Sequence, residues 1–320
     1  MARWILATLL LVVLVGATLL GLAATRDIPL ETLETRYTDE HSRFMEVDGL
    51  RVHYRDQGSG PVLLLLHGTG ASLHTWDGWA RELENQFRVI RMDLPAFGLT
   101  GPREDRDYRI SAYVDFLADF AEALGLEDFA LAGNSLGGHI AWRYALEYPD
   151  QVNAMVLVAP SAYPPADMPR AMRLARTPVM NQLIRHVLSP RRVRDSLEDV
   201  YGDPAQVDEA LVTRYYELTL RPGNRQAFID RARTEMTWRH TELGAIETPT
   251  LIMWGGRDTW IVPVNGEQMV RDMPRARLYT FPELGHVPME EDPVRTATLA
   301  KRFLSGNADN TAARSPAKAD

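Results

Sequence analysis

Ser135 lies in the run Gly133-Asn134-Ser135-Leu136-Gly137-Gly138, directly after the apolar segment Phe129–Ala132 and directly before a helical pattern. Small residues around a serine at a strand-to-helix junction let the chain turn sharply and leave the hydroxyl exposed at the turn. Ser135 would then sit at a helix N-terminus, where free amides and the helix dipole favour a developing oxyanion. A serine hydroxyl is a poor nucleophile near neutral pH. It needs a base, and that base needs a third group to orient it. The glycine–serine pattern alone also fits an incidental serine in a glycine-rich turn, so its partners decide the matter.

The expected order along the chain is serine, acid, histidine. His286 is the only histidine beyond residue 240 and stands in Leu284-Gly285-His286-Val287-Pro288, just after an apolar strand pattern. Asp258 closes Gly255-Gly256-Arg257-Asp258, just after another. Either residue alone reads as an ordinary loop position; together they supply the base and its orienting acid at strand ends. An oxyanion hole needs two backbone donors: the amide of Leu136, after the serine, and that of Thr69 in His67-Gly68-Thr69-Gly70. His67 is itself a candidate base, but a histidine at this place more often braces its loop. The other histidines (His41, His53, His74, His139, His186, His240) have no metal-type spacing with carboxylates, so neither a metal nor a cofactor is expected. The sequence has no cysteine, which excludes thiolate chemistry and disulfides and leaves the redox compartment open.

These residues require strands to carry them. Val62–Leu66, Arg88–Met92, Phe129–Ala132, Ala154–Val158, Thr250–Trp254 and Arg277–Phe281 read as strands, several as continuous apolar runs typical of parallel strands buried on both faces. Helical patterns over Trp76–Asn85, Ser111–Leu124, Leu136–Tyr148, Val264–Asp272 and Pro293–Leu304 separate most of them, predicting a mostly parallel sheet with helices on both faces. Phe44–Val47 and Leu50–Asp56, joined by Asp48-Gly49, predict an antiparallel hairpin at the sheet edge. The alternation breaks between Ser161 and Ile246, where helical, arginine-rich sequence predicts a cap over the strand ends.

At the N-terminus, Trp4 to Ala24 is an uncharged run of 21 residues, about 30 Å as a helix and enough to cross a bilayer. The alternative is a secretory signal peptide, but such apolar stretches are shorter, about 7–15 residues. Arg3 and the free amine before the run place the following domain on the extracytoplasmic side. The expected division is an anchor and polar linker over 1–36, a core over 37–160 and 246–305, a cap over 161–245 and a disordered tail over 306–320. A net charge of −8 argues against a nucleic-acid partner. Oligomeric state leaves no trace in the sequence.

The segments His67–Gly70, Asp93-Leu94-Pro95-Ala96-Phe97-Gly98, Gly133–Gly138, Gly256-Arg257-Asp258 and Gly285-His286 together resemble the α/β-hydrolase superfamily, over residues from about 40 to 305. The resemblance implies an eight-stranded α/β-hydrolase sheet, a cap, and the triad Ser135, Asp258 and His286. The superfamily hosts many reactions, so the site must choose among them. Its haloalkane dehalogenases and epoxide hydrolases carry aspartate at the elbow; serine there implies acyl transfer. Asn134 before Ser135 resembles the carbon–carbon bond hydrolases of aromatic-ring degradation, which commonly carry an aromatic residue where this chain has Val287. The apolar N-terminus instead resembles membrane-bound esterases and monoacylglycerol lipases, implying an apolar acyl ester or lipid substrate. Arginines spaced among apolar residues from Met168 to Leu188 predict a basic amphipathic helix able to lie on an anionic membrane or to serve as an ordinary cap helix. A non-catalytic binding protein on the same fold is the remaining class.

Overall fold

The computed structural model describes residues 24–165 and 170–312. Its centre is explained by the leucines of β3 (Val62–Leu66). Successive side chains of a strand point to opposite faces, so a strand covered on both sides must be apolar throughout. Leu64 and Leu66 join a core with Tyr113, Phe116 and Phe120 of helix Ile110–Ala123 and Ile140 of helix Leu136–Glu147. Leu63 and Leu65 join the opposite core, with Trp76, Trp79 and the last helix's Ala297 and Leu304. All four leucines are fully buried, and each contributes at most about 1.5–3 kcal/mol.

The remaining strands are β1 (Ser42–Val47), β2 (Leu50–Gln57), β4 (Arg88–Met92), β5 (Phe129–Asn134), β6 (Val152–Val158), β7 (Thr250–Gly255) and β8 (Ala276–Phe281). They form one eight-stranded sheet in the order β1-β2-β4-β3-β5-β6-β7-β8. The β1–β2 and β2–β4 pairs are antiparallel and all others parallel. The sheet reverses its winding at β3, with β4 on one side and β5 on the other, where open α/β sheets bind ligands.

Between β6 and β7 the chain forms the helices Arg170–Arg176, Met180–His186, Pro190–Glu198, Glu209–Thr219 and Asn224–Arg233. The expected single basic helix up to Leu188 is instead two, divided at Thr177-Pro178-Val179. Pro178 has no N–H to donate and disfavours helix at the residue before it, and Val179 has φ 71°.

Two more expectations are corrected. Residues 25–37 are not a bare linker: Leu30–Tyr37 is a helix whose Leu33 packs in a cluster with Leu99 and Leu218. Eight residues are too few for a stable isolated helix, so this packing is what holds it. The last helix runs Pro293–Ala312 rather than ending at Leu304, taking in the first residues of the stretch expected to be a tail. Once Ala297, Ala300 and Leu304 are buried against the core, each further residue extends an existing helix without a new nucleus. Among the described residues no helix is long and apolar enough to cross a membrane; the expected span Trp4–Ala24 lies outside them except for Ala24.

Candidate active site

Ser135 is held at φ 53°, ψ −111°, a conformation that costs a non-glycine residue of order 1–3 kcal/mol. Its surroundings enforce the geometry. Ser135 N–H donates to Val158 O (3.1 Å), and its carbonyl accepts from the amides of His139 (3.0 Å) and Ser161 (3.1 Å). A Cβ on Gly133 would lie 2.3 Å from Gly137 O, and one on Gly137 would lie 2.2 Å from Leu66 O. Glycine is therefore demanded by the close packing of elbow, helix and β3. Leu136 opens the helix Leu136–Glu147, so its N–H has no intrahelical partner.

The loop after β3 lies against this elbow. A Cβ on Gly68 would be 2.8 Å from Asn134 Oδ1 and 3.1 Å from Ser135 Cβ. Gly68 to Ala71 form a turn closed by Ala71 N–H donating to Gly68 O (3.3 Å), with Gly70 at φ 78° in its third position. That turn makes no use of the Thr69 N–H. His67 braces the loop: Nδ1 donates to Gly68 O (2.8 Å) and Nε2 accepts from Leu94 N–H (2.9 Å). Burial holds the His67 pKa below its usual value, consistent with this neutral tautomer.

Asp258 and His286, 28 residues apart, meet in a buried pair with His286 Nδ1 2.7 Å from Asp258 Oδ2. That carboxylate oxygen also accepts from Trp254 Nε1 (3.2 Å), while Oδ1 accepts from the amides of Trp260 (2.8 Å) and Ile261 (2.9 Å). Since the carboxylate only accepts, Nδ1 carries the hydrogen and Nε2 holds the lone pair. Nε2 is buried and has no hydrogen-bond partner among the described residues, Ser135 included. The Trp260 ring lies 5.7 Å from the imidazole, centroid to centroid.

Other residues tie the three segments together and were not singled out from sequence in that capacity. Asn134 Nδ2 donates to both Val158 O and His286 O, each at 3.0 Å, linking the elbow to the histidine loop. His286 N–H donates to Val200 O of the cap (2.7 Å). The Glu291 carboxylate accepts from the amides of Gly285 (2.9 Å), Val287 (3.3 Å) and Gly202 (2.8 Å), so one half-buried acid fixes both sides of His286 and the cap. Burial raises the Glu291 pKa, partly offset by these bonds. Its only sequence signal is a place five residues after His286. Beside the Gly70 turn, a narrow cleft opens between Ala71 and Phe97 of the core and Tyr215, Leu218 and Phe228 of the cap.

This sheet, elbow and acid–histidine pair define a class that comparison makes definite. Residues 61–293 match the family described as alpha/beta hydrolase fold, and the chain belongs to that family. The 2-hydroxy-6-oxononadienedioate/2-hydroxy-6-oxononatrienedioate hydrolase of Burkholderia vietnamiensis is 30% identical over 279 residues, 80% of this chain and 91% of that protein. Among solved structures, a membrane phospholipase A described as a novel bacterial virulence factor aligns with TM-score 0.74 and 29% identity, covering 96% of this chain and 99% of that one. A thermophilic esterase from Thermogutta terrifontis aligns with TM-score 0.71 and 25% identity over 83% of this chain and 98% of its own.

Proposed function

We propose that this hydrolase cleaves carboxylic esters through Ser135, His286 and Asp258, and that its substrate is an apolar acyl ester drawn from a membrane. The observation that carries the reading is the 2.7 Å Asp258–His286 bond, with His286 Nε2 left unpartnered in the same loop that Asn134 ties to the elbow. His286 Nε2 takes the Ser135 proton as Oγ attacks the ester carbonyl. The amides of Thr69 and Leu136 hold the oxyanion, and Asp258 stabilises the imidazolium. His286 then protonates the departing alcohol, and a water activated by the same nitrogen releases the acid from the acyl-enzyme. Trp4–Ala24 is the proposed anchor, with the catalytic domain extracytoplasmic; the long alignment with a membrane phospholipase supports it.

The test is Ser135→Ala in a clean preparation, assayed on p-nitrophenyl esters of graded chain length. Turnover should fall by several powers of ten, and fluorophosphonate labelling should disappear. Retained turnover would refute the assignment. A second reading, carbon–carbon bond hydrolysis, is favoured by Asn134 and by the Burkholderia relative, whose name describes such a substrate. Faster turnover of a vinylogous diketone than of any simple ester would select it.

A further inference from the structure

The chain that enters from residue 24 is fastened to the cap. Thr25 N–H donates to His186 O (2.8 Å). The Thr25 hydroxyl donates to Leu188 O (2.7 Å) and accepts from Leu188 N–H (3.0 Å). Arg225 Nη2 donates to Thr25 O (2.9 Å) and to the Asp27 carboxylate (2.7 Å). The apolar run ends at Ala24, one residue earlier, and successive Cα atoms are only about 3.8 Å apart. Ala24, the last residue of that run, is thus set beside the turn between helices Met180–His186 and Pro190–Glu198.

The same surface carries a one-sided charge. Residues 170–194 contain seven arginines and no aspartate or glutamate, in a protein of net charge −8. Arg170, Arg185, Arg191 and Arg192 are exposed, and among the described residues none has a carboxylate partner. Between the first two helices stands Val179, at 73% the most exposed large hydrophobic side chain of the described residues. An apolar tip flanked by unneutralised arginines, at the exit of an apolar run, suits the headgroup layer of an acidic bilayer.

We infer that the cap surface formed by helices Arg170–Arg176 and Met180–His186 and the start of Pro190–Glu198 docks on an anionic phospholipid bilayer, with Val179 entering the headgroup layer. This rests on the reading of Trp4–Ala24 as a membrane span. The tether supplies proximity and the arginines supply orientation, since their attraction to acidic lipid acts within a Debye length of about 8 Å. The cap is thereby held on the surface from which an ester substrate would leave the bilayer.

Because the sequence has no cysteine, single labels can be placed cleanly. Val179→Cys carries an environment-sensitive fluorophore in the full chain, reconstituted into vesicles of equal parts phosphatidylglycerol and phosphatidylcholine with a spin-labelled lipid. Tyr279→Cys on the edge strand β8 is the reference. The label at 179 should shift to the blue and be quenched by the spin label, with the label at 279 unchanged. Arg170, Arg185, Arg191 and Arg192 changed together to Glu should abolish shift and quenching, and changed to Gln should weaken them, both with soluble-ester turnover intact. Raised salt should weaken the wild-type signal. Equal quenching at 179 and 279 in a chain that resists carbonate extraction overturns the docking and leaves the span standing. A chain released by carbonate overturns both. Quenching unaltered in the Glu variant overturns the role of the arginines.

Discussion

Among the described residues two aspartate–histidine pairs have their aspartate just beyond the end of a strand, and a comparison shows what distinguishes them. Asp93 Oδ2 lies 2.8 Å from His53 Nδ1, and the carboxylate also accepts from the amides of Leu73 and Leu99, both at 2.8 Å. His53 Nε2 is taken up by Ser42 Oγ (3.1 Å), so every polar position in that pair is filled. In the Asp258–His286 pair, Nε2 alone is left over. The two carboxylates should therefore fail differently. Asp258→Asn should lower kcat by about 10⁴, because the histidine loses its tautomer, and should lower the melting temperature as well, because Trp254 Nε1 and the amides of Trp260 and Ile261 also bond this buried carboxylate. Asp93→Asn should cost about 3–5 kcal/mol of stability, because a fully buried pair is broken with several donors left facing an amide. Burial would raise the Asp93 pKa, but the His53 bond and charge outweigh it and hold the carboxyl well below its usual range. Such a group stabilises the fold above the unfolded value of about 3.9 and loses that contribution as pH falls below it. Thermal unfolding followed below pH 5 should show wild-type stability declining with acid, and a flatter profile in Asp93→Asn.

At the scale of elements, the elbow depends on three segments approaching at backbone distance. Gly137→Ala puts a methyl group 2.2 Å from Leu66 O, which belongs to the central strand and has no rotamer by which to yield. Such overpacking costs about 1–3 kcal/mol or more and displaces Leu136, so turnover should collapse along with a lowered melting temperature. A variant with wild-type kcat would show that the elbow has room not seen here. The same proximity explains what was legible from sequence. The strands announced themselves as apolar runs, and the elbow and histidine loop as glycine-flanked residues, because local chain geometry and two-sided burial set their composition. The helix Leu30–Tyr37 was obscure because its reason for existing is contact with Leu99 and Leu218, far along the chain. The break in the basic cap helix at Pro178 was written in the sequence but outweighed by the arginine periodicity. Glu291 could not be found by motif, since its bonds run to backbone amides and any residue can supply an amide.

At the scale of the whole molecule, the cap is joined to the core by adjacent carboxylates next to the proposed base. Glu291 binds Gly202 of the cap and Gly285 of the histidine loop, while Glu290 binds Arg214 and Tyr215 of cap helix Glu209–Thr219 and Thr75 of the core. A rearrangement of the cap would thus be felt at His286 through Glu291, and at the start of the cleft through Tyr215. The Arg214 and Glu290 side chains are only 22% and 10% exposed, so losing one partner leaves a largely buried charge. Glu290→Ala should therefore cost about 2–3 kcal/mol, somewhat less than breaking a fully buried pair, because Arg214 keeps some solvent. Arg214→Met alone should be destabilising as well, and the double variant should recover much of the loss, since no unpaired charge then remains. Measured by denaturant unfolding, this cycle should give a coupling of about 1–3 kcal/mol. If stability falls while kcat on a short soluble ester holds, the pair only fastens the cap. If kcat falls further than stability explains, the cap's seating on Glu290 and Glu291 sets the working position of His286, and the cap and the proposed triad behave as a single mechanical unit.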